Sequence, residues 1–207
     1  MPAVTAVRLP IETPRLVLRL PSLRDVPALR RSFRDPRTAR AVGASLHSSA
    51  ERLDPARMVA RTHAEYRAGQ HLSLSVIERD SGACVGRVGL RGLDWKYRKV
   101  ESLSYWIDPP HWNHGYATEA SWFLCAQGFR SLRLRRISSQ ALAPNLASLR
   151  VLRRLGFVEE GRERDAVRVR GTSLDMLLFG LLRGELVPEA AVRSLWDEGP
   201  RRPPSHR

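Results

Sequence analysis

Lysine is nearly missing from this 207-residue chain: Lys96 and Lys99 are the only two, and every other basic residue is arginine. Cysteine is as scarce. Cys84 and Cys125 each sit among apolar neighbours, which excludes a disulfide framework and a thiolate-rich metal site and fits a reduced, cytoplasmic interior. Long apolar runs are absent too. The longest strongly apolar stretch, residues 176–182, is seven residues long, where a membrane-spanning helix needs about 20. Pro2, Arg8, Pro10 and Glu12 interrupt the N-terminus before the apolar run of a signal peptide could form. There are no internal repeats.

Positive charge, in contrast, is plentiful. With 35 basic and 21 acidic residues the formal net charge is +14. Two readings of this excess stay open: a coding bias toward arginine, or attraction to anions such as nucleotide cofactors, RNA or acidic proteins. A hydrophobic content of 43% over 207 residues suits one domain, able to bury roughly 70% of its unfolded surface.

The periodicities place the elements. Residues 15–20 alternate apolar and basic side chains and read as a strand. Pro27 suits the first turn of a helix starting near Asp25 and ending before Pro36. Residues 35–53 carry no clean period and read as mobile or partly helical. Asp54-Pro55 is an N-cap followed by a first-turn proline, and Gly69 a stop, bracketing a second helix. From Leu72 the period changes to two: strands follow at 72–76, 85–90 and 100–107, with a turn at Asp80-Ser81-Gly82 and a polar connection at 95–99. A helix at 117–129, a strand at 136–141, a helix at 145–155 and strands at 157–164 and 172–182 complete the domain. Residues 188–196 read as a short terminal helix, and 199–207 as a disordered Arg/Pro-rich tail. The expected domain covers 10–185, with 186–207 as a C-terminal extension. Tight turns imply antiparallel pairing, while the strand–helix–strand stretch from 100 to 141 implies one parallel crossover. The expectation is a mixed α/β sheet, mostly antiparallel, of about six to seven strands with helices on both faces.

Two segments carry the chemistry. In Trp112-Asn113-His114-Gly115-Tyr116-Ala117-Thr118-Glu119-Ala120, a turn with small residues at Gly115 and Ala117 runs into a helix. Free N–H groups at 113–118, together with the helix dipole, would cradle a pyrophosphate without a strong cation. In Asn145-Leu146-Ala147-Ser148, an amide and a hydroxyl lie one turn apart at the start of a helix whose Leu149, Leu152 and Leu155 face the core. Gly156 then closes that helix.

The first segment closely resembles the W-G-K-G-Y-A-T-E-A loop of the GCN5-related N-acetyltransferases (GNAT), and is most similar to the subgroup that includes the ribosomal-protein N-terminal acetyltransferases. Asn145-x-x-Ser148 followed by Leu155-Gly156-Phe157 resembles that subgroup's second signature. The likeness extends to Thr13-Pro14-Arg15-Leu16-Val17-Leu18-Arg19, to Ser104-Tyr105-Trp106-Ile107 and to Leu174-Asp175-Met176, in matching order over roughly residues 10–185. It implies a sheet splayed at its centre and transfer of an acetyl group from acetyl-CoA, as co-substrate without a metal, to a primary amine by direct attack.

The resemblance also assigns roles. Backbone groups of Trp106 and Ile107 would bond the pantetheine arm; Trp112, Asn113, His114, Gly115, Tyr116, Ala117 and Thr118 would hold the pyrophosphate; Asn145 would bond pantetheine or a neighbouring carbonyl. Ser148 would donate to the departing sulfur. Among Arg150, Arg153 and Arg154, at least one, with Arg153 foremost, would meet the ribose 3′-phosphate. Asn113 stands where the family has Gly, a residue type that tolerates positive φ. His114 replaces the usual Lys or Arg, so the charge there depends on imidazole protonation. The subgroup's Glu before the strand tyrosine is Ser102 here, with Glu101 one position earlier and on the other face unless a bulge intervenes. Glu101, a water relay or an already neutral amine would each supply the free base. Asp175 either lines the acceptor pocket or serves structure.

A protein N-terminus, as in a ribosomal protein, or a small amine is the expected acceptor, and a homodimer extended through 176–182 an expected assembly. The competing reading is an inactive domain of the same fold that binds CoA, RNA or a partner protein.

Overall fold

The computed structural model describes residues 4–38, 54–94, 96–97, 99–169, 171–194 and 196. The segment expected to be mobile therefore falls, from residue 39 to 53, outside the described residues, as does the 199–207 tail.

Eight strands form one sheet: β1 (Ile11–Glu12), β2 (Leu16–Arg19), β3 (Leu72–Glu78), β4 (Cys84–Asp94), β5 (Lys99–Ile107), β6 (Arg136–Leu142), β7 (Val158–Val169) and β8 (Thr172–Leu182). Their order is β1-β2-β3-β4-β5-β6-β8-β7, and every pairing is antiparallel except β5–β6. The class expected from the sequence holds, with one strand more than the expected count. The extra one, β1, is two residues long, too short to leave a period. A second correction concerns 176–182. That segment lies in β8, which pairs with β6 on one side and β7 on the other, so it offers no free edge for a dimer.

The helices are α1 (Val26–Arg34), α2 (Pro55–Arg67), α3 (Tyr116–Arg130), α4 (Leu146–Leu155) and α5 (Glu189–Arg193). Local chemistry sets their ends. The Asp54 carboxylate accepts from the Ala56 N–H at 3.1 Å to start α2, and Gly156 at φ 96° stops α4. Strand alternation puts helices on both faces. Arg87 of β4 reaches α2, donating to the Thr62 hydroxyl at 3.1 Å, while its neighbour-but-opposite Leu90 packs against Gly128 of α3. Leu149, Leu152 and Leu155 are buried, as their spacing required. Val192 and Trp196 also join the core, so packing continues past residue 185. Among the described residues, no helix is long and apolar enough to cross a membrane.

A buried carboxylate ties β2 to the start of α1. Asp25 receives Arg19 Nη1 and Nη2 at 2.9 and 2.7 Å, the Ser22 N–H at 2.9 Å and the Ser75 hydroxyl at 2.9 Å. Burial alone would raise its pKa; the Arg19 guanidinium, the Ser22 amide and the Ser75 hydroxyl outweigh it and hold the carboxyl below its ordinary value. The unfolded chain is then the better proton binder at this group. Its stabilisation is present above the unfolded pKa, about 3.9, and is lost as pH falls through that value toward the lower folded one. Thermal melts should therefore fall less steeply between about pH 5 and about pH 3 in Asp25→Asn than in the native chain. Parallel profiles would show that this network does not contribute to acid sensitivity.

Candidate active site

The sheet opens at its centre. β5 and β6 are paired only at Lys99–Arg136 and Val100–Ile137, and beyond that point the two strands diverge. The Ser139 hydroxyl bridges the opening to the Leu103 carbonyl at 2.9 Å. That bond shows which peptide groups of β5 face the cleft. Leu103 directs its carbonyl toward β6, so alternation sends those of Tyr105 and Ile107 the same way and those of Ser104 and Trp106 toward β4. The Asp108 N–H agrees, donating back to Val85 beside β4 at 2.7 Å. Trp106 thus turns its peptide groups away from the cleft. Ile107 faces it, but its carbonyl accepts the Trp112 indole N–H at 2.6 Å. Trp112 is therefore a brace that fixes the following loop to the end of β5.

That loop makes a tight double turn. Asn113 has φ 63° and Gly115 φ 74°, so the asparagine stands in a left-handed conformation that it tolerates better than most residues. Gly115 is the N-cap of α3 and avoids the strain a Cβ would bring there. Among the described residues no acceptor bonds the backbone N–H groups of Asn113, His114, Gly115, Tyr116, Ala117 or Thr118, and the first closed helical bond is Glu119 N–H to Gly115 O at 3.0 Å. Unpaired amides at the positive end of a 15-residue helix are groups able to receive an anion.

The side chains of this loop do other work. The Tyr116 hydroxyl donates to Glu78 at 2.5 Å, with Arg15 5.0 Å above its ring and His114 stacked on it at 5.5 Å. Burial, then the bond to Glu78, push the Tyr116 phenol up to about 12. Glu78 is held below the usual carboxylate range by the Ser81 and Tyr116 hydroxyls, with His111 and His114 adding to the effect. His114 Nδ1 lies 2.8 Å from the Trp112 carbonyl, which leaves Nε2 as its outward nitrogen. Thr118 is buried. Tyr116, Ala117 and Thr118 accordingly offer the cradle their amides rather than their side chains.

Below the cradle, Glu119 is wholly buried. Its carboxylate takes the Thr13 hydroxyl at 2.6 Å, the Arg15 N–H at 2.9 Å, and Arg15 Nε and Nη2 at 2.8 and 2.7 Å. Arg15 Nη1 continues to the Trp196 carbonyl at 2.9 Å. The Thr13-Pro14-Arg15 and Thr118-Glu119 segments are thus two halves of one anchor that locks α3 to β2.

Across the cleft, Asn145 caps α4 by accepting the Ser148 N–H at 3.1 Å. The Ser148 hydroxyl lies 2.9 Å from the Tyr105 hydroxyl, which is also 3.2 Å from the Ser148 carbonyl. This contact with Tyr105 is one the sequence did not expose: the two side chains are 43 residues apart in the chain. Burial raises the Tyr105 pKa, against the smaller opposing effect of Ser148, so the phenol stays protonated. Either hydroxyl can donate in this pair; when Tyr105 donates to Ser148 Oγ, the serine hydrogen is free to bond elsewhere.

The remaining expectations are placed as follows. Arg153 is engaged by Glu159 at 3.2 Å, whereas Arg150 and Arg154 have no ion-pair partner among the described residues. The Glu101 side chain lies outside the described residues, although its backbone is in β5. Asp175 bonds Arg162 Nε at 2.6 Å and the Asp165 N–H at 2.9 Å, so it shapes the β7–β8 hairpin. Cys84 and Cys125 are not activated: burial raises both thiol pKa values. Among the described residues no group of three or more His, Cys, Asp or Glu side chains could hold a metal ion.

Unbonded amides at a helix start thus lie in the loop that follows β5, the strand along which the sheet splits. Residues 15–158 match the family model of the acetyltransferase (GNAT) domain. The uncharacterised N-acetyltransferase YoaA of Bacillus subtilis is 30% identical over 173 residues, covering 84% of this chain and 96% of its own. A B. subtilis protein named as a candidate ribosomal N-acetyltransferase, YdaF, is 34% identical over 119 residues, covering 56% and 64%. Among solved structures, Mycobacterium smegmatis RimJ in complex with CoA-disulfide superposes with a TM-score of 0.72 at 25% identity, covering 86% of this chain and 87% of that one. The chain belongs to the GNAT acetyltransferase family. It is an N-acetyltransferase that moves an acetyl group from acetyl-CoA to an amine.

Proposed function

We propose that the acceptor is the α-amino group of a protein N-terminus, and that the reaction runs in the cleft between β5 and β6. The observation that carries the site assignment is the run of unbonded amides at 113–118, in the loop that follows the end of β5 where that strand is no longer paired with β6. In this reading the cradle holds the diphosphate of acetyl-CoA, and the cleft-facing peptide groups of Tyr105 and Ile107 meet the pantetheine arm, Tyr105 taking the place the sequence gave to Trp106. Arg150 or Arg154, rather than the engaged Arg153, meets the 3′-phosphate. The neutral amine attacks the thioester carbonyl, forming the C–N bond; the C–S bond breaks, and the sulfur takes the Ser148 proton. The proton lost by the amine passes to Glu101 or through water to solvent, and Ser148 regains a proton from solvent, which restores the starting state. No covalent enzyme intermediate is needed, which suits two unactivated cysteines.

Support for a protein acceptor comes from the similarity to the candidate ribosomal enzyme and from charge. At +14 the chain repels polycationic small amines at long range. Free-thiol release with peptides bearing Ser or Ala N-termini should therefore exceed release with spermidine. Faster turnover of spermidine would overturn the choice of acceptor.

His114 adds charge to the cradle only as imidazolium. His114→Ala should weaken the affinity for CoA read by calorimetric titration; an unchanged affinity in the variant would remove His114 from the site. A cytoplasmic location fits this reading. A homodimer built by sheet extension would have to use β1 or β7, the two edge strands, and size-exclusion chromatography of native and β7-edge variants reads that directly.

A further inference from the structure

At the other end of β5 the molecule has a second concavity that acetyl transfer does not use. It is a groove of about 1410 Å³ running between the end of α3, the start of β6 and the segment after β8. Its volume exceeds the roughly 300–1,000 Å³ typical of small-molecule pockets. The β5 strand separates the two sites: from Lys99, at the groove, to Ile107, at the cleft, the strand extends about 26 Å at about 3.3 Å per residue. Both sites are therefore open to ligands at the same time.

The chemistry of the groove is one-sided. Lys99, Arg130, Arg133, Arg135, Arg136 and Arg183 line it. Arg136 is held by Glu160 and Arg183 by the Phe129 carbonyl. Arg130, Arg133 and Arg135 are exposed and have no ion-pair partner among the described residues. The lining contains one acidic residue, Glu189, and it is already paired with Arg193. Arg133 adds an independent sign. It occupies the left-handed position, φ 53°, that ends α3, with the Leu134 N–H returning to Gly128 O at 3.1 Å. Glycine is the usual occupant of such a stop. An arginine there accepts backbone strain and places a guanidinium at the rim.

Two further features distinguish among polyanions. The apolar lining that solvent reaches is Leu182, Leu186 and Val187, whereas Phe129 and Leu134 are buried. At the mouth, Tyr97 is 55% exposed, with the ammonium groups of Lys96 and Lys99 at 5.1 and 5.7 Å from its ring centre. A wholly acidic peptide such as poly-glutamate would use the cations but neither the ring nor the apolar lining. A single strand of nucleic acid would use all three, its phosphates on the arginines and its unstacked bases on Tyr97 and the apolar surface. Loops of RNA present unstacked bases and phosphates together. We propose that this groove is a docking site for single-stranded RNA.

The test is fluorescence anisotropy of a labelled mixed-sequence RNA of about 12 nucleotides, within the usual single-strand site size, against the full chain over a salt series. Three variants are compared: the triple reversal Arg130→Glu/Arg133→Glu/Arg135→Glu, Tyr97→Ala, and a charge-matched control, Arg24→Glu/Arg57→Glu/Arg67→Glu, on exposed arginines elsewhere. Native protein should bind with strong salt dependence. The groove reversal should reduce the log–log salt slope by about 2, three contacts at about 0.7 each, and weaken binding more than tenfold. Tyr97→Ala should weaken it at least about fivefold. Acetyl transfer and melting temperature report that the groove variants remain folded. Equal losses from the control reversal would reduce the effect to net charge and overturn the proposal. So would tighter binding of a labelled poly-glutamate peptide or of duplex DNA than of the RNA, or binding indifferent to Tyr97.

Discussion

Glu119→Ala should cost the protein about 3–5 kcal/mol, the range for removing one partner of a buried ion pair. At roughly 2–4 °C per kcal/mol for a chain of this size, the melting temperature should fall by about 6–20 °C. The carboxylate has no exposure and satisfies the Thr13 hydroxyl, the Arg15 amide and the Arg15 guanidinium together. Deleting it leaves three donors facing a cavity. Arg15 is about one-third exposed, so its guanidinium recovers some hydration, which places the loss toward the lower end. Arg15→Ala is the harsher test, because it leaves a buried charge with only the Thr13 hydroxyl and a backbone amide. Both variants should also raise KM for acetyl-CoA, since Glu119 fixes the first turns of the helix whose amides form the cradle. Scanning calorimetry and initial rates read the two effects. A shift below about 2 °C in both would mean that the anchor contributes little.

Ser148→Ala should reduce kcat by about 10²-fold or more, the lower end of what a positioned proton donor contributes, with KM for acetyl-CoA changed little. The serine hydroxyl sits on a capped helix turn 2.9 Å from the Tyr105 hydroxyl, which in the proposed mechanism sets its direction. Tyr105→Phe removes that orientation but not the donor, so its loss should be smaller, and the double variant should be no worse than Ser148→Ala alone. Such non-additivity is expected of groups acting as one unit. Additive losses would separate the two residues, and a Ser148→Ala enzyme within about threefold of native would assign the leaving-group proton to another source.

How far the sequence revealed this site follows from the range of the interactions involved. Local features were legible. Asp54-Pro55 and Gly69 bracket α2, Leu149, Leu152 and Leu155 face inward, and Asn113 stands where positive φ is required, all because a few neighbouring residues determine them. The amide cradle was legible for the same reason. Long-range features were not. Trp106 and Ile107 looked equivalent in the sequence; only the pairing register with β4 shows that one turns its peptide groups inward and the other outward. Glu119 read as part of a loop motif, yet its partners are more than 100 residues away. Tyr105 looked like one more strand aromatic until α4 brought Ser148 to it. Arg153 stood ahead of Arg150 and Arg154 in the sequence, and its pairing with Glu159 of β7 is a contact that no local pattern encodes. The placement of β8 inside the sheet likewise depends on its pairing with β6, which no local period encodes.

The central claim is that helix-start amides grip the diphosphate of the acetyl carrier, and calorimetric titration of the full chain with coenzyme A and with pantetheine tests it most directly. Charge-assisted hydrogen bonds contribute about 1.5–3 kcal/mol each, so coenzyme A should bind at least about tenfold more tightly than the fragment without phosphates. Equal affinities for the two, or no heat from millimolar coenzyme A, would contradict the account.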